Sequence, residues 1–156
     1  MCVMQGSTYA GGLFLAMCHD FKILKMDARV CLSEINIGLP FGNGYSALAY
    51  QILDYATMKH MMYGEKVPAK LALRRNVVDA LYQNSQELEA FMMDFAKDHA
   101  FRANNRKQIK AEKCHVYSDV IRVFEGQAMN PDATLKAIQV FSDILDRKRD
   151  APHAKL

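Results

Sequence analysis

No two of the four cysteines, at positions 2, 18, 31 and 114 of 156 residues, stand in a C-x-x-C pair. Metal and disulfide frameworks announce themselves by spacing, so the chain reads as carrying free thiols in a reducing compartment. Cys18-His19 and Cys114-His115 do not alter this. Adjacent residues on a helix point to different faces, and ligand number and spacing both fall short of a metal site. Long apolar runs are missing as well. Nothing approaches the roughly 20 residues a membrane-spanning helix needs, and the first residues lack the pattern of a secretory leader. Charge of one sign is scarce. A formal net charge of +3 is too small to point to nucleic acid, though it suits an anionic small ligand such as a phosphorylated cofactor. Internal repeats and low-complexity linkers are also absent.

What is present is ordinary for a soluble globular protein: 51% of residues are hydrophobic and 24% charged, in a chain long enough for one domain with a sizeable core. The ten methionines read as gap-filling core. Residues 2–5 predict a short apolar strand closed by Gly6. Residues 11–19 predict a helix that is apolar all round and hence buried. Residues 21–25 and 29–32 predict two strands joined at Asp27, a hairpin that delivers Glu34. A loop rich in turn formers covers residues 36–44, followed by a helix of about ten residues carrying Leu48, Ile52 and Leu53 inward. Residues 63–81 predict a strand-like piece, a short helix and another strand, with Pro68 at the first helical position and Asn76 as a left-handed stop.

The remainder reads as helical. Asn84 and Glu87 fit a capping box ahead of the stripe Leu88, Phe91, Met92, Phe95. One helix from about Asn105 places Ile109, Val116, Tyr117, Val120, Ile121 and Phe124 on one side. Asn130-Pro131 opens another, with Leu135, Ile138, Phe141, Ile144 and Leu145 as its stripe.

The stretch that carries chemistry is residues 6–40. Ala10-Gly11-Gly12 turns the chain into a helix, and a helix N-terminus offers unpaired N–H groups and the positive end of a dipole. Glycine there serves close helix–strand packing or the close approach of a ligand oxygen. Aimed at a carbonyl oxygen, such N–H groups form half of an oxyanion hole. A single Glu is most often a surface carboxylate. Returned beside such a carbonyl, Glu34 is placed to move protons.

Four blocks in one order carry a family resemblance: the G-x-x-x-[AG]-G-G run at residues 6–12, Cys18-x-Asp20, the C-L-x-E-x-x-I-G-L-P run at residues 31–40, and Gly64…Pro68-Ala69…Val77-Val78-Asp79. The sequence resembles the enoyl-CoA hydratase/isomerase (crotonase) family over roughly residues 1–125. The run Asn105-Arg106-Lys107 before a helix is most similar to the eukaryotic peroxisomal Δ3,Δ2-enoyl-CoA isomerases. The resemblance implies an α/β fold: a spiral of ββα turns, its N-terminal part missing, over residues 1–82, then C-terminal helices of the trimer-forming type over 83–150 and an exposed tail at 151–156.

Residue by residue, the resemblance implies that the Gly11 N–H is the second oxyanion donor and that Glu34 is the later of the hydratases' two catalytic carboxylates. The earlier one falls on Phe14, which can neither accept nor donate a proton and reads as core or as wall of an acyl pocket. Ala10, Gly12, Leu39 and Pro40 complete the substrate-binding set. One base suffices to move a double bond, whereas adding water calls for two groups, so isomerase is favoured over hydratase. Apolar neighbours Cys31, Leu32 and Ile35 are expected to raise the Glu34 pKa. The implied substrate is a coenzyme A thioester, with no cofactor and no metal. The first oxyanion donor is expected upstream of Met1, so the chain is expected to be either a partial sequence or a truncated, non-catalytic subunit that joins full-length relatives. Expected partners are acyl-CoA and further copies or related chains, not nucleic acid. Arg102, Arg106, Lys107, Lys110 and Lys113 read as a solvated helix face rather than a site for the coenzyme's phosphates. Ala154-Lys155-Leu156 resembles a peroxisomal address read by an import receptor; a mitochondrial location is the alternative.

Overall fold

The computed structural model describes residues 1–128 together with residues 139, 142 and 143. The helix expected from Asn130-Pro131 and the tail at Ala154-Lys155-Leu156 lie outside the described residues. Two three-stranded sheets organise the first half. In the first, β1 (Cys2–Met4), β3 (Lys22–Lys25) and β6 (Ala80–Tyr82) run parallel in the order β1-β3-β6, with Val3 opposite Ile23 and Leu24 opposite Leu81. In the second, β4 (Arg29–Cys31) lies parallel to β2 (Thr8–Tyr9) and antiparallel to β5 (Val67–Pro68). Parallel neighbours need a crossover, and α1 (Gly11–Met17) lies between β2 and β3 in the chain. The pass β1, β2, α1 sends one strand to each sheet before a helix closes the turn, in keeping with the expected ββα spiral.

The two strands either side of Asp27 do not form the expected hairpin. β3 is central, flanked by β1 and β6, and both Ile23 and Leu24 are buried, so neither of its edges is free for β4. The Met26 N–H donates to the Tyr82 carbonyl at 2.8 Å and the Ala28 N–H to the Lys25 carbonyl at 3.0 Å, which turns the chain out of one sheet into the other. Lys22 and Asp79 brace the same sheet: the Lys22 N–H donates to Asp79 Oδ2 at 2.7 Å, and the Asp79 N–H to the Lys22 carbonyl at 2.8 Å.

Helix α1 buries Leu13, Phe14, Ala16 and Met17 but leaves Leu15 65% exposed, so it is covered on three sides and not all round. The ten-residue helix α2 (Asn43–Ile52) carries Leu48 inward as expected. Residues 54–62 carry no expected element, yet they form α3 (Tyr55–Met62). Its cap is Asp54, whose Oδ1 accepts the Thr57 N–H at 3.0 Å; hydrogen bonds from Thr57 hold that carboxyl below its ordinary pKa. Met58 and Met61 fill the core, the gap-filling use expected of methionine. Pro68 is the extended residue capping α4 (Ala69–Arg74), one position before the expected one, and Asn76 does take a left-handed φ of 54°.

After the sheets, α5 (Ser85–His99) is capped by Asn84, whose Oδ1 accepts the Glu87 N–H at 3.0 Å. Its apolar stripe is only partly covered: Phe95 packs edge-on against Phe21 at 4.6 Å, while Phe91 and Met92 are exposed. The single helix expected from Asn105 is two, α6 (Arg106–Val116) and α7 (Ser118–Ala128). Tyr117 interrupts it at φ −101° and packs against the core, which lets α7 lie along α2 with Val120 buried.

Candidate active site

Strands β2 and β4 run side by side, Thr8 opposite Val30 and Tyr9 opposite Cys31. The pairing continues one residue further, for the Ala10 N–H donates to the Cys31 carbonyl at 2.9 Å. The two chains then part. After Ala10 comes Gly11 at the start of α1, and three residues after Cys31 comes Glu34, at the head of a 3-10 turn, Glu34–Ile37. Both expected catalytic groups thus leave the same end of adjacent parallel strands. The sequence places them 23 residues apart, and the sheet brings their strand ends together.

Ala10 makes the turn at a cost. Its φ of 52° and ψ of −130° fall where side-chain-bearing residues are rarely found. In return its carbonyl accepts from Leu13 at 2.9 Å and Phe14 at 3.2 Å, which starts the helix. The Gly11 N–H has no acceptor among the described residues, as expected of a first helical position. A Cβ added to Gly11 would meet nothing within 4 Å, and one on Gly12 would make only an ordinary 3.6 Å contact with Thr8. Neither position therefore requires glycine to make room for a neighbour at its Cα.

Glu34 is 7% exposed, and its Oε2 is buried with no hydrogen-bond partner. Burial raises its pKa, opposed in part by its own backbone N–H. A carboxyl in this state takes up a proton more readily than a solvated one, as a group that accepts and returns protons near neutral pH must. The expected apolar wall is present on two sides only. Cys31 and Leu32 are fully buried, but Ile35 is 50% exposed and turned outward. Gly38, left-handed at φ 69°, ends the turn, and the Leu39 N–H returns to the Glu34 carbonyl at 3.1 Å.

Phe14 is core. Its ring stacks on Tyr45 at 4.6 Å and meets Phe41 edge-on at 5.7 Å, while Tyr45 reaches Phe124 of α7 at 5.8 Å. Leu39 and Pro40 line an open apolar groove of about 490 Å³ with Ile35, Gly38, Phe41, Met62 and Tyr63. The groove borders the Glu34 turn through Ile35 and Gly38 and the Phe14 ring through Phe41.

Three residues around Glu34 escaped the sequence reading as site residues. Cys31 donates its thiol to the Gly64 carbonyl at 3.3 Å. Gly64 takes φ +74°, and an added Cβ there would stand 3.0 Å from Asn36 Nδ2 and 3.2 Å from Ile35 Cγ2, against the Glu34 turn. Lys66 holds its ammonium 5.9 Å from the Tyr9 ring centroid and bears electrostatically on Cys31. Cys31 and Gly64 left a trace in the sequence, each in one of the matched blocks; Lys66 left none. The basic set on α6 and the turn before it is exposed, and Lys113 pairs with Asp20, in line with a solvated face. Among the described residues no helix is long and apolar enough to cross a membrane.

Comparison with known proteins bears on the family and the fold. Two Arabidopsis thaliana proteins, "Enoyl-CoA delta isomerase 3" and "Enoyl-CoA delta isomerase 2, peroxisomal", are 29% and 28% identical over 90 residues, 56% of this chain. The chain spans 38% of the length of each. A crystal structure of a probable enoyl-CoA hydratase from Mycobacterium tuberculosis superimposes with a TM-score of 0.73 at 16% identity, over 90% of this chain and 59% of that one. The same fold is thus present at an identity too low to carry activity across. The family described as Enoyl-CoA hydratase/isomerase matches residues 1–136, and the chain belongs to it.

Proposed function

We propose that this family member isomerises a 3-enoyl-CoA to the 2-enoyl-CoA, with Glu34 as the single base. The observation that carries the reading is the Glu34 carboxyl, buried and unpartnered at Oε2 beside the strand end that leads to Gly11. With the thioester carbonyl at the Gly11 N–H, Glu34 takes a proton from C2 and the enolate charge collects on that oxygen. Returning the proton at C4 completes the shift and regenerates the carboxylate. A donor already aimed at the oxygen is worth about 3–4 kcal/mol in comparable sites. Phe14 supports isomerisation over hydration, because its buried ring leaves no second acid or base at that point of α1. The reading calls for no metal or cofactor beyond the substrate's own coenzyme A. The likeness to a relative described as peroxisomal supports a peroxisomal setting.

The test is conversion of a 3-enoyl-CoA by the chain, with Glu34→Gln beside it. Turnover that vanishes in the variant supports the reading; turnover that persists removes Glu34 from the reaction. A second reading, a non-catalytic subunit joined to longer relatives, is favoured by the uncovered apolar side chains Phe91, Met92 and Met93 on α5, with Phe101 after it and Val116 on α6. It predicts a folded, inactive chain that co-purifies with a full-length relative and shifts its sedimentation.

A further inference from the structure

We propose that Cys31 is a positioning residue that joins the Gly11 strand end, the Gly64 turn and the Glu34 turn into one unit, through its carbonyl on one side and its thiol on the other. The inference rests on the reading of Glu34 as the base and adds to it the group that sets where the carboxyl stands.

Cys31 ends β4 with its side chain fully buried. Its carbonyl accepts the Ala10 N–H at 2.9 Å, one residue before Gly11. Its thiol donates to the Gly64 carbonyl at 3.3 Å, across 33 positions of sequence. Gly64 in turn touches the Glu34 turn, since the space its absent Cβ would fill belongs to Asn36 and Ile35. A movement at Gly64 is therefore transmitted to the turn that begins with Glu34. The carboxyl is not anchored to any other element at Oε2, which has no partner, and the hydrogen bond that bears on its pKa comes from its own backbone. Where Glu34 points is decided by its backbone, and its backbone is held between Cys31 and Gly64.

The thiol is suited to donate. Burial, and then the nearby Glu34 charge, raise its pKa, while Lys66 acts in the other direction, so the proton stays on sulfur. Glu34 and Lys66 are the charged groups that bear on it. Simple packing is the competing account, under which an alanine would serve at position 31 as well as a serine, or better, given the cost of burying a hydroxyl.

The experiment compares Cys31→Ser, which keeps a donor, with Cys31→Ala, which loses it, in the full chain. The readout is the titration of Glu34 by carboxyl-carbon NMR, assigned with Glu34→Gln. It needs no turnover, so failure of the isomerase reading and failure of this inference give different results. The expected result is that the alanine variant lowers the Glu34 midpoint toward the ordinary carboxylate value as water gains access, and that serine retains the parent's midpoint. An alanine variant that titrates like the parent overturns the inference, as does a serine variant that falls with alanine. Should the alanine variant not fold, the serine variant decides alone by the same criterion. If the parent isomerises, Cys31→Ala lowers kcat by up to about 100-fold, the effect of misplacing a reacting group by about 1 Å, with a smaller change in KM.

Discussion

The Ala10 N–H donates to the Cys31 carbonyl at 2.9 Å, and at that same residue the chain takes a φ of 52°, a conformation normally left to glycine. The bond extends the β2–β4 ladder one residue past its last pair, and the strain is the cost of turning at once into α1. An L-residue held in such a sparsely populated region costs of order 1–3 kcal/mol.

Ala10→Gly removes that strain but raises the entropy of the unfolded chain, which costs roughly 0.5–1 kcal/mol. The expected net effect is stabilising by about 1 kcal/mol, a rise in Tm of about 2–4 °C for a chain of this size. Ala10→Val goes the other way, because a β-branched side chain is worse placed at positive φ than a methyl. Thermal melts of both variants check the pair of signs. A glycine variant that melts below the parent would mean that Ala10 is not strained.

Gly64→Ala is expected to be more damaging than its distance from Gly11 implies. The new methyl meets Asn36 Nδ2 at 3.0 Å and Ile35 Cγ2 at 3.2 Å, and the residue stands at φ +74°. The left-handed backbone alone costs roughly 1–2 kcal/mol for a residue with a Cβ. The displaced neighbours belong to the Glu34 turn, so in an active chain turnover falls as well as stability. Urea melts and kcat of the same variant measure the two effects separately.

How much of this was legible in the sequence follows from what kind of signal each feature left. Gly11, Glu34 and the left-handed Asn76 could be placed because glycine runs, a matched block and helix stops are local. The separation of β3 from β4 could not. It depends on β6, some 55 residues downstream, occupying the edge of β3, and nothing near Asp27 records that. Helix α3 is hard to read because Tyr55, Lys59 and His60 interrupt its apolar pattern, although Asp54 and Thr57 form a clear cap. Phe14 was legible as apolar. Its place in an aromatic column reaching α7 was not, since ring stacking is a property of the assembled helices. Cys31 reads as a free thiol, as the start of a matched block and as an apolar neighbour of Glu34, but its two hydrogen bonds appear only once strand and turn are folded together.

Asp79→Ala is expected to destabilise the first sheet. It removes the acceptor of the Lys22 N–H at 2.7 Å and the carboxylate 3.7 Å from the Lys22 ammonium, whose side chain is buried. Hydrogen bonds to a charged group contribute roughly 1.5–3 kcal/mol, and the exposure of Asp79 itself puts the loss toward the lower end, about 2 kcal/mol. Pairing with Lys22→Met in a double-mutant cycle tests the attribution. If the cost of Asp79→Ala is the same with and without the Lys22→Met substitution, the ammonium contributes nothing and the backbone bond carries the whole effect.

The last prediction concerns pH and Glu34. Burial raises its pKa in the folded chain above the ordinary value of 4.5. The folded state therefore binds a proton that the unfolded state has already released across the interval between the two values. Linkage then gives the sign: stability from this group is fully present below the ordinary value and is lost as pH rises through the raised one. Glu34→Gln is nearly the same shape and has no charge to bury, so it escapes this loss. Against the parent, the variant should gain stability progressively from about pH 4.5 upward and level off once the folded-state carboxyl has ionised. Urea melts of both proteins at matched pH values measure the difference directly, and groups common to the two cancel. A difference that is flat with pH would mean that Glu34 ionises in the folded chain as it does in water, and the case for a proton-holding base at this position would go with it.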